Sequence, residues 1–225
     1  MQVGPRAAGY PLEFPIPTSA TPPSAALCAE FGGIDIYLFD QLLRGRFDRR
    51  RRILDAGCGD GRNLTYFLRH GFLCFGIDRD PHAVADVTRL AASLAPELPA
   101  DNFQVGELTQ LPWMDATMDA VICSAVLHFA SDDAHFGAMV RELWRVLAPT
   151  GLLFARLASS IGLEHAIGRA AGVRVRLPDG SDRFVVDEAM LLAWTDRLGG
   201  ELVDPIKTTN VQQQRCMTTW CVRKR

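Results

Sequence analysis

Residues 53 to 63, Ile-Leu-Asp-Ala-Gly-Cys-Gly-Asp-Gly-Arg-Asn, set three glycines on alternate positions between a short apolar run and an amphipathic segment. Such a turn suits a cofactor, because a chain reversing from strand to helix needs unusual dihedrals and a ligand must lie against bare backbone. Gly57, Gly59 and Gly61 are the candidates for that contact, with Asp55 two residues ahead of the first. The spacing G-x-G-x-G departs from the dinucleotide fingerprint G-x-G-x-x-G, since Arg62 stands where the third glycine would fall. This weakens a nicotinamide reading. Asp78 ends the next apolar run, 21 positions after Gly57, where a carboxylate can accept from both hydroxyls of a ribose.

With D-x-G-x-G-x-G at residues 55 to 61 and a strand-terminal Asp78, the stretch from about Ile53 to Phe154 resembles the class I S-adenosylmethionine-dependent methyltransferases. Gly57 to Asn63 is also similar to the G-C-G-x-G-R-N variant of tellurite-resistance methyltransferases. The resemblance implies a Rossmann-like α/β fold, a seven-stranded and mostly parallel sheet of order 3-2-1-4-5-7-6 with the last strand antiparallel and helices on both faces. It implies S-adenosylmethionine as cofactor, S-adenosylhomocysteine as product, and a small-molecule acceptor presenting oxygen, nitrogen, sulfur or a metalloid oxyanion.

Carried onto this chain, the resemblance assigns each part of the cofactor a contact. The backbone of Gly57, Cys58 and Gly59 would approach the methionyl part and sugar, with Gly61 completing the turn. The Asp55 carboxylate and the Ser124 carbonyl would lie near the ammonium. Asp78 would take the ribose with Arg79 alongside, Glu107 would accept from the adenine amino group, and the Leu108 N–H would donate to a ring nitrogen. Arg62 and Asn63 are expected to open the following helix, whose free N–H groups favour an anion. Arg62 reads as a holder of the cofactor carboxylate, a contact to an anionic substrate, or a surface arginine.

Methyl transfer is a displacement at a carbon activated by positive sulfur, so a good nucleophile needs mainly alignment and desolvation. A protonated acceptor needs a base as well. His128, in Ser-Ala-Val-Leu-His-Phe just past the fourth strand, is the candidate catalytic base or polar substrate contact, a structural histidine being the alternative. His135 is seven residues on and a candidate for the same rim. Arg156, near the end of the fifth strand, implies an anion or carbonyl to pair with. Tyr37 reads as a packing aromatic or as a contact to the methionine end. Two histidines without a clear third ligand predict no metal site.

These residues need a scaffold, and the chain alternates strand and helix patterns from Ile53 onward, which implies a parallel sheet covered on both faces. Strands are expected at 53–56, 73–77, 102–105, 120–124 and 152–157, and helices at 62–69, 81–94 and 132–147. A short amphipathic helix is expected at 34–43. Past the fifth strand, Asp179-Gly180 between two alternating runs reads as a β-hairpin. Residues 158–186 are expected as a substrate lid inserted in a single domain spanning 31–225. Asp187 can cap a helix reaching Leu198, and two last strands are expected at 201–206 and 216–222. The proline-rich residues 1–30 read as a flexible tail. Arg44 to Arg52 carries six arginines at the entry to the first strand, away from the edge where such sheets bind ligands, and reads as a solvated basic face.

A formal net charge of −2 leaves no global excess of positive charge for nucleic acid or acidic membrane, so a small molecule is the expected partner. No apolar run approaches the roughly 20 residues that span a bilayer, and a cytoplasmic protein is expected. The six cysteines form no C-x-x-C pair and read as reduced, buried thiols. Two rivals remain. A nucleic-acid or protein methyltransferase would want a basic cofactor rim or an N/D-P-P-Y/F motif, where the fourth strand ends Ser-Ala-Val-Leu-His. A noncatalytic S-adenosylmethionine-binding module would keep the same glycine turn without turnover.

Overall fold

The computed structural model describes residues 23–225. Helices α1 (Pro23–Phe31) and α2 (Ile36–Leu43) precede strand β1 (Arg52–Ala56), and α3 (Thr65–Arg69), β2 (Leu73–Asp78), α4 (Pro81–Leu94) and β3 (Phe103–Val105) follow. Next come β4 (Met118–Ser124), α5 (Asp133–Val146), β5 (Leu147–Ser159), α6 (Glu164–Ile167), β6 (Val173–Arg176) and β7 (Asp182–Val185). Helix α7 (Glu188–Arg197) and strands β8 (Gly200–Leu202), β9 (Lys207–Val211) and β10 (Arg215–Lys224) complete the chain.

The main sheet runs β3-β2-β1-β4-β5-β10-β8, with β9 pairing β10 beyond Arg215. Strands β1 to β5 pair in parallel, and β10 is antiparallel to β5, β8 and β9. This is the expected Rossmann-like order once β8 and β10 are counted as sixth and seventh, with one further strand, β9. That strand was hidden because the turn feeding β10 contains no glycine. Gln212 and Gln213 both adopt left-handed backbone, φ 48° and 58°, and Gln214 N–H donates to Val211 O at 2.9 Å, a primed hairpin turn built from glutamines. The strand expected at 201–206 pairs only as far as Leu202.

Strand residues alternate between two cores, as the pleat requires. Leu54, Ala56, Val121, Leu153 and Trp220 face α5 and α7, while Ile53, Ala120, Ile122, Phe154 and Cys221 face α2, α3 and α4. Helix α4 begins as expected, with Asp80 accepting from His82 N–H and Pro81 in the first turn. Helix α3 starts at Thr65, so Arg62 and Asn63 lie in the turn before it rather than opening it. Of the expected tail, residues 1–22 lie outside the described residues while 23–30 are helical, and Cys28 on that helix is exposed while the other five cysteines are buried.

The hairpin β6–β7 is anchored to the domain, since Phe184 is fully buried and stacks on Phe136 at a centroid distance of 5.0 Å. At the opposite edge of the sheet, Arg50 donates to Asp119 O and Thr150 O, at 3.2 and 3.1 Å, and Arg52 to Thr117 O at 2.6 Å. Part of the arginine run therefore ties strand ends together instead of being solvated. Thr150 holds left-handed backbone, φ 64°, directly ahead of Gly151. Among the described residues no helix is long and apolar enough to cross a membrane.

Candidate active site

At the carboxyl ends of β1, β2 and β4 the chain leaves a cleft of about 380 Å³. Open parallel sheets bind ligands along this edge. Gly57 turns the chain out of β1 at φ 80°, and a Cβ there would overlap Val126 Cγ2. Its N–H and that of Cys58 both donate to Ile77 O, at 2.8 and 3.0 Å, which stitches the turn to β2. Gly61, φ 87°, admits α4, since its Cβ would stand 2.6 Å from Val87 Cγ2. Gly57 and Gly61 thus answer packing demands of the turn.

Gly57, Asp78, Arg79, Glu107 and Leu108 line the cleft, together with Arg62, Ser124, His135, Ala125, Phe129 and Met139. Asp78 Oδ2 accepts from Gly59 N–H and Oδ1 from Asp80 N–H, each at 3.0 Å, so this carboxylate also shapes the turn. A carboxylate has about four lone-pair sites, which leaves room for further donors. Arg62 reaches across to Gly33 O and to Ser124 Oγ, at 3.3 and 3.4 Å. His135 Nδ1 accepts from Ser131 N–H at 3.1 Å.

Asp55 and Cys58 stand behind the turn. Asp55 is fully buried, neither of its oxygens has a hydrogen-bond partner among the described residues, and burial, aided by Asp78, pushes its pKa up to about 8 against the opposing pull of Arg62. The Cys58 thiol packs against Gly76 and is pushed above its ordinary range by burial. Asn63 is buried too, and its Oδ1 accepts from Asp35 N–H at 3.0 Å.

Asp35 is the residue that motif reading missed. Its Oδ1 caps α2 through Tyr37 N–H at 2.9 Å, while Oδ2 accepts from Ser124 Oγ at 3.1 Å and pairs with Arg156 Nη1 at 3.2 Å. An aspartate after Gly32-Gly33 and ahead of an apolar helix signals an N-cap; nothing local signals Ser124 or Arg156. Arg156 lies over the Tyr37 ring at 5.1 Å, and the Tyr37 hydroxyl bonds Thr209. Tyr37 therefore lies outside the large cleft, beneath Arg156.

His128 and Arg156 line a second cavity, of about 240 Å³, which shares Ala125 with the first. His128 is buried on the helical turn Leu127–Phe129, and its Nδ1 has no hydrogen-bond partner among the described residues. Burial first, then the charges of Arg183, Arg156 and Arg174, lower its pKa to about 4. The imidazole is neutral at neutral pH. Among the described residues no group of three His, Cys, Asp or Glu side chains is placed to hold a metal ion.

The family profile described as "Methyltransferase domain" matches residues 54–155. Over 109 residues the chain is 33% identical to malonyl-[acyl-carrier protein] O-methyltransferase of Serratia marcescens, covering 48% of this chain and 39% of that one. The chain spans between 33% and 57% of the length of such curated relatives. Among solved structures, 1,6-didemethyltoxoflavin-N1-methyltransferase of Burkholderia thailandensis, with S-adenosylhomocysteine bound, superposes with TM-score 0.64 at 17% identity, covering 88% of this chain and 80% of that one. The [4+2]-cyclase SpnF superposes with TM-score 0.62 at 20% identity, covering 82% and 81%. Residues 54–155 thus match the methyltransferase domain family, and the sheet that carries them has the Rossmann-like methyltransferase fold.

Proposed function

We propose that the protein binds S-adenosylmethionine in the large cleft and transfers its methyl group to a small molecule held beyond Ala125. The observation that carries this reading is the meeting of Gly57, Asp78, Glu107 and Leu108 in the lining of one cleft. The match of residues 54–155 and the methyltransferase names of the relatives support it. Gly57 presents backbone without a side chain. Asp78 accepts from the ribose hydroxyls, Glu107 from the adenine amino group, and the Leu108 N–H donates to the ring. Arg62, already lying across the cleft mouth, takes the methionyl carboxylate, and the Ser124 carbonyl faces the ammonium.

When bound, S-adenosylmethionine supplies a methyl carbon made electrophilic by its sulfonium. That chemistry would let an acceptor lone pair displace the sulfur, which would leave with the carbon–sulfur bonding pair. Phe129 and Met139 add apolar side chains to the lining of that cleft, which favours an aligned attack by a less solvated nucleophile. Asp55 keeps a proton behind the turn at neutral pH and so adds no full charge beneath the ligand. Neutral His128 offers Nδ1 to an acceptor that must lose a proton. The hairpin β6–β7 with the segment before it serves as the acceptor-side lid.

The relatives act on both oxygen and nitrogen acceptors by name, which leaves the atom open. A cyclase on the same fold gives a second reading weight, a ligand-binding site without methyl transfer. Incubation with methyl-labelled S-adenosylmethionine and a small-molecule panel separates the two. Label transferred to a small molecule supports the enzyme reading; tight cofactor binding with no transfer to any small molecule, nucleic acid or protein supports the second.

A further inference from the structure

We propose that the second cavity is the acceptor pocket and that it recognises its small molecule through a carboxylate or similar oxyanion held by Arg156 and Arg183. The assignment as acceptor pocket rests on the reading of the large cleft as the cofactor site.

Position is the first argument. Ala125 lines both cavities, and its N–H donates to Arg156 O at 2.7 Å, so the two are neighbours. Arg183, on the wall of the second cavity, lies over the ring of Phe129, on the wall of the first, at 4.9 Å. The chain Ser124–Asp35–Arg156 also runs from one cavity to the other. A group anchored beside Arg156 and Arg183 is thus close to the cleft where the methyl group would be presented.

Charge is the second. Arg156, Arg183 and Arg215 line the cavity against one carboxylate, Asp179. Asp179 pairs with Arg215 at 3.7 Å, and Asp35 pairs with Arg156 from behind. Arg183 has no carboxylate within ion-pair distance among the described residues; its one bond is to the backbone carbonyl of Asp182. One guanidinium is left in excess, and a planar fork is the group best matched to a carboxylate or oxyanion.

Unmet hydrogen bonding is the third. Arg156 Nε and His128 Nδ1 are buried without partners among the described residues, and both residues line this cavity. Leaving such groups unpaired is unfavourable, and a ligand carrying acceptor oxygens would satisfy the guanidinium N–H. The cavity, of about 240 Å³, is also lined by Leu177 and Ser181 from the hairpin and by Val211 at the end of β9.

Benzoate, with benzamide as its neutral isostere, tests this by NMR titration of the His128 imidazole on protein saturated with S-adenosylhomocysteine, whose own affinity is measured alongside. We expect benzoate to shift the His128 signals saturably, benzamide to do so far less, and Arg183→Gln to weaken benzoate by about tenfold while S-adenosylhomocysteine affinity stays the same. Arg183 is partly exposed, so this variant should fold. Arg156→Lys, which keeps the charge and the pairing with Asp35 but loses the fork, should also weaken benzoate. Equal responses to benzoate and benzamide, or benzoate binding indifferent to Arg183→Gln, would overturn the proposal while leaving the cofactor reading intact. Failure of S-adenosylhomocysteine to bind would overturn both.

Discussion

Arg156 donates to Asp35 at 3.2 Å across 121 residues of chain, and through that contact the helix ahead of the glycine turn is fastened to the fifth strand. The carboxylate is almost fully buried and shared with Ser124, so it ties a residue lining the large cleft to one lining the second cavity.

Asp35→Asn keeps a helix cap but removes the charge facing Arg156. Breaking a buried pair by neutralising one partner costs roughly 3 kcal/mol, discounted here because Arg156 retains some solvent contact. Denaturant unfolding should show a loss of about 1–3 kcal/mol, smaller when Arg156→Gln is also present. An additive double variant would show that the pair is not coupled.

Gly57→Ala forces a Cβ onto Val126 in a left-handed backbone. We expect loss of measurable cofactor binding. Adding Val126→Ala should restore part of it, the remaining deficit being the roughly 1–2 kcal/mol of backbone strain. No recovery in the pair would mean that the methyl group blocks ligand directly instead of displacing Val126.

Asp78→Ala removes a ribose acceptor and also frees the Gly59 and Asp80 N–H groups it holds. Cofactor affinity should fall by about 100-fold, with Asp78→Asn intermediate because one oxygen remains. Calorimetry showing unchanged affinity for the alanine variant would remove Asp78 from the site.

Stability should depend on pH through Asp55 and His128. In the fold Asp55 keeps its proton to about pH 8, whereas the unfolded chain releases it near 3.8, so stability declines as pH rises through that window. His128 acts oppositely, because the unfolded chain binds a proton below about 6.5 that the folded chain refuses until about 4. The two oppose each other at acid pH, leaving a decline between about pH 6.5 and 8 that Asp55→Asn should abolish. Melting temperatures of the two proteins across that range check it; parallel curves would contradict the buried-carboxylate account. His128→Ala should slow transfer without changing cofactor affinity.

Much of this site can be read from one dimension. The residues that line the large cleft lie at strand ends, where apolar runs stop and glycine or acid begins, as at Gly57, Asp78 and Glu107. Alternation along β1 and β4 likewise foretells a sheet covered on both sides. The second cavity is only half legible: His128 and Arg156 stand out near the ends of the fourth and fifth strands, whereas Arg183 and Arg215 come from other elements and read locally as ordinary polar residues. Asp35 announces its cap but not its partners. Strand β9 stayed hidden because Gln212 and Gln213 occupy dihedrals that sequence rules reserve for glycine and asparagine.

The most direct test of the account is isothermal titration of the protein with S-adenosylmethionine and S-adenosylhomocysteine, with NAD as control. We expect both sulfur nucleosides to bind one to one and NAD to give no saturable heat. Preference for NAD, or no binding of either nucleoside, would contradict the assignment of the cleft between Gly57 and Asp78.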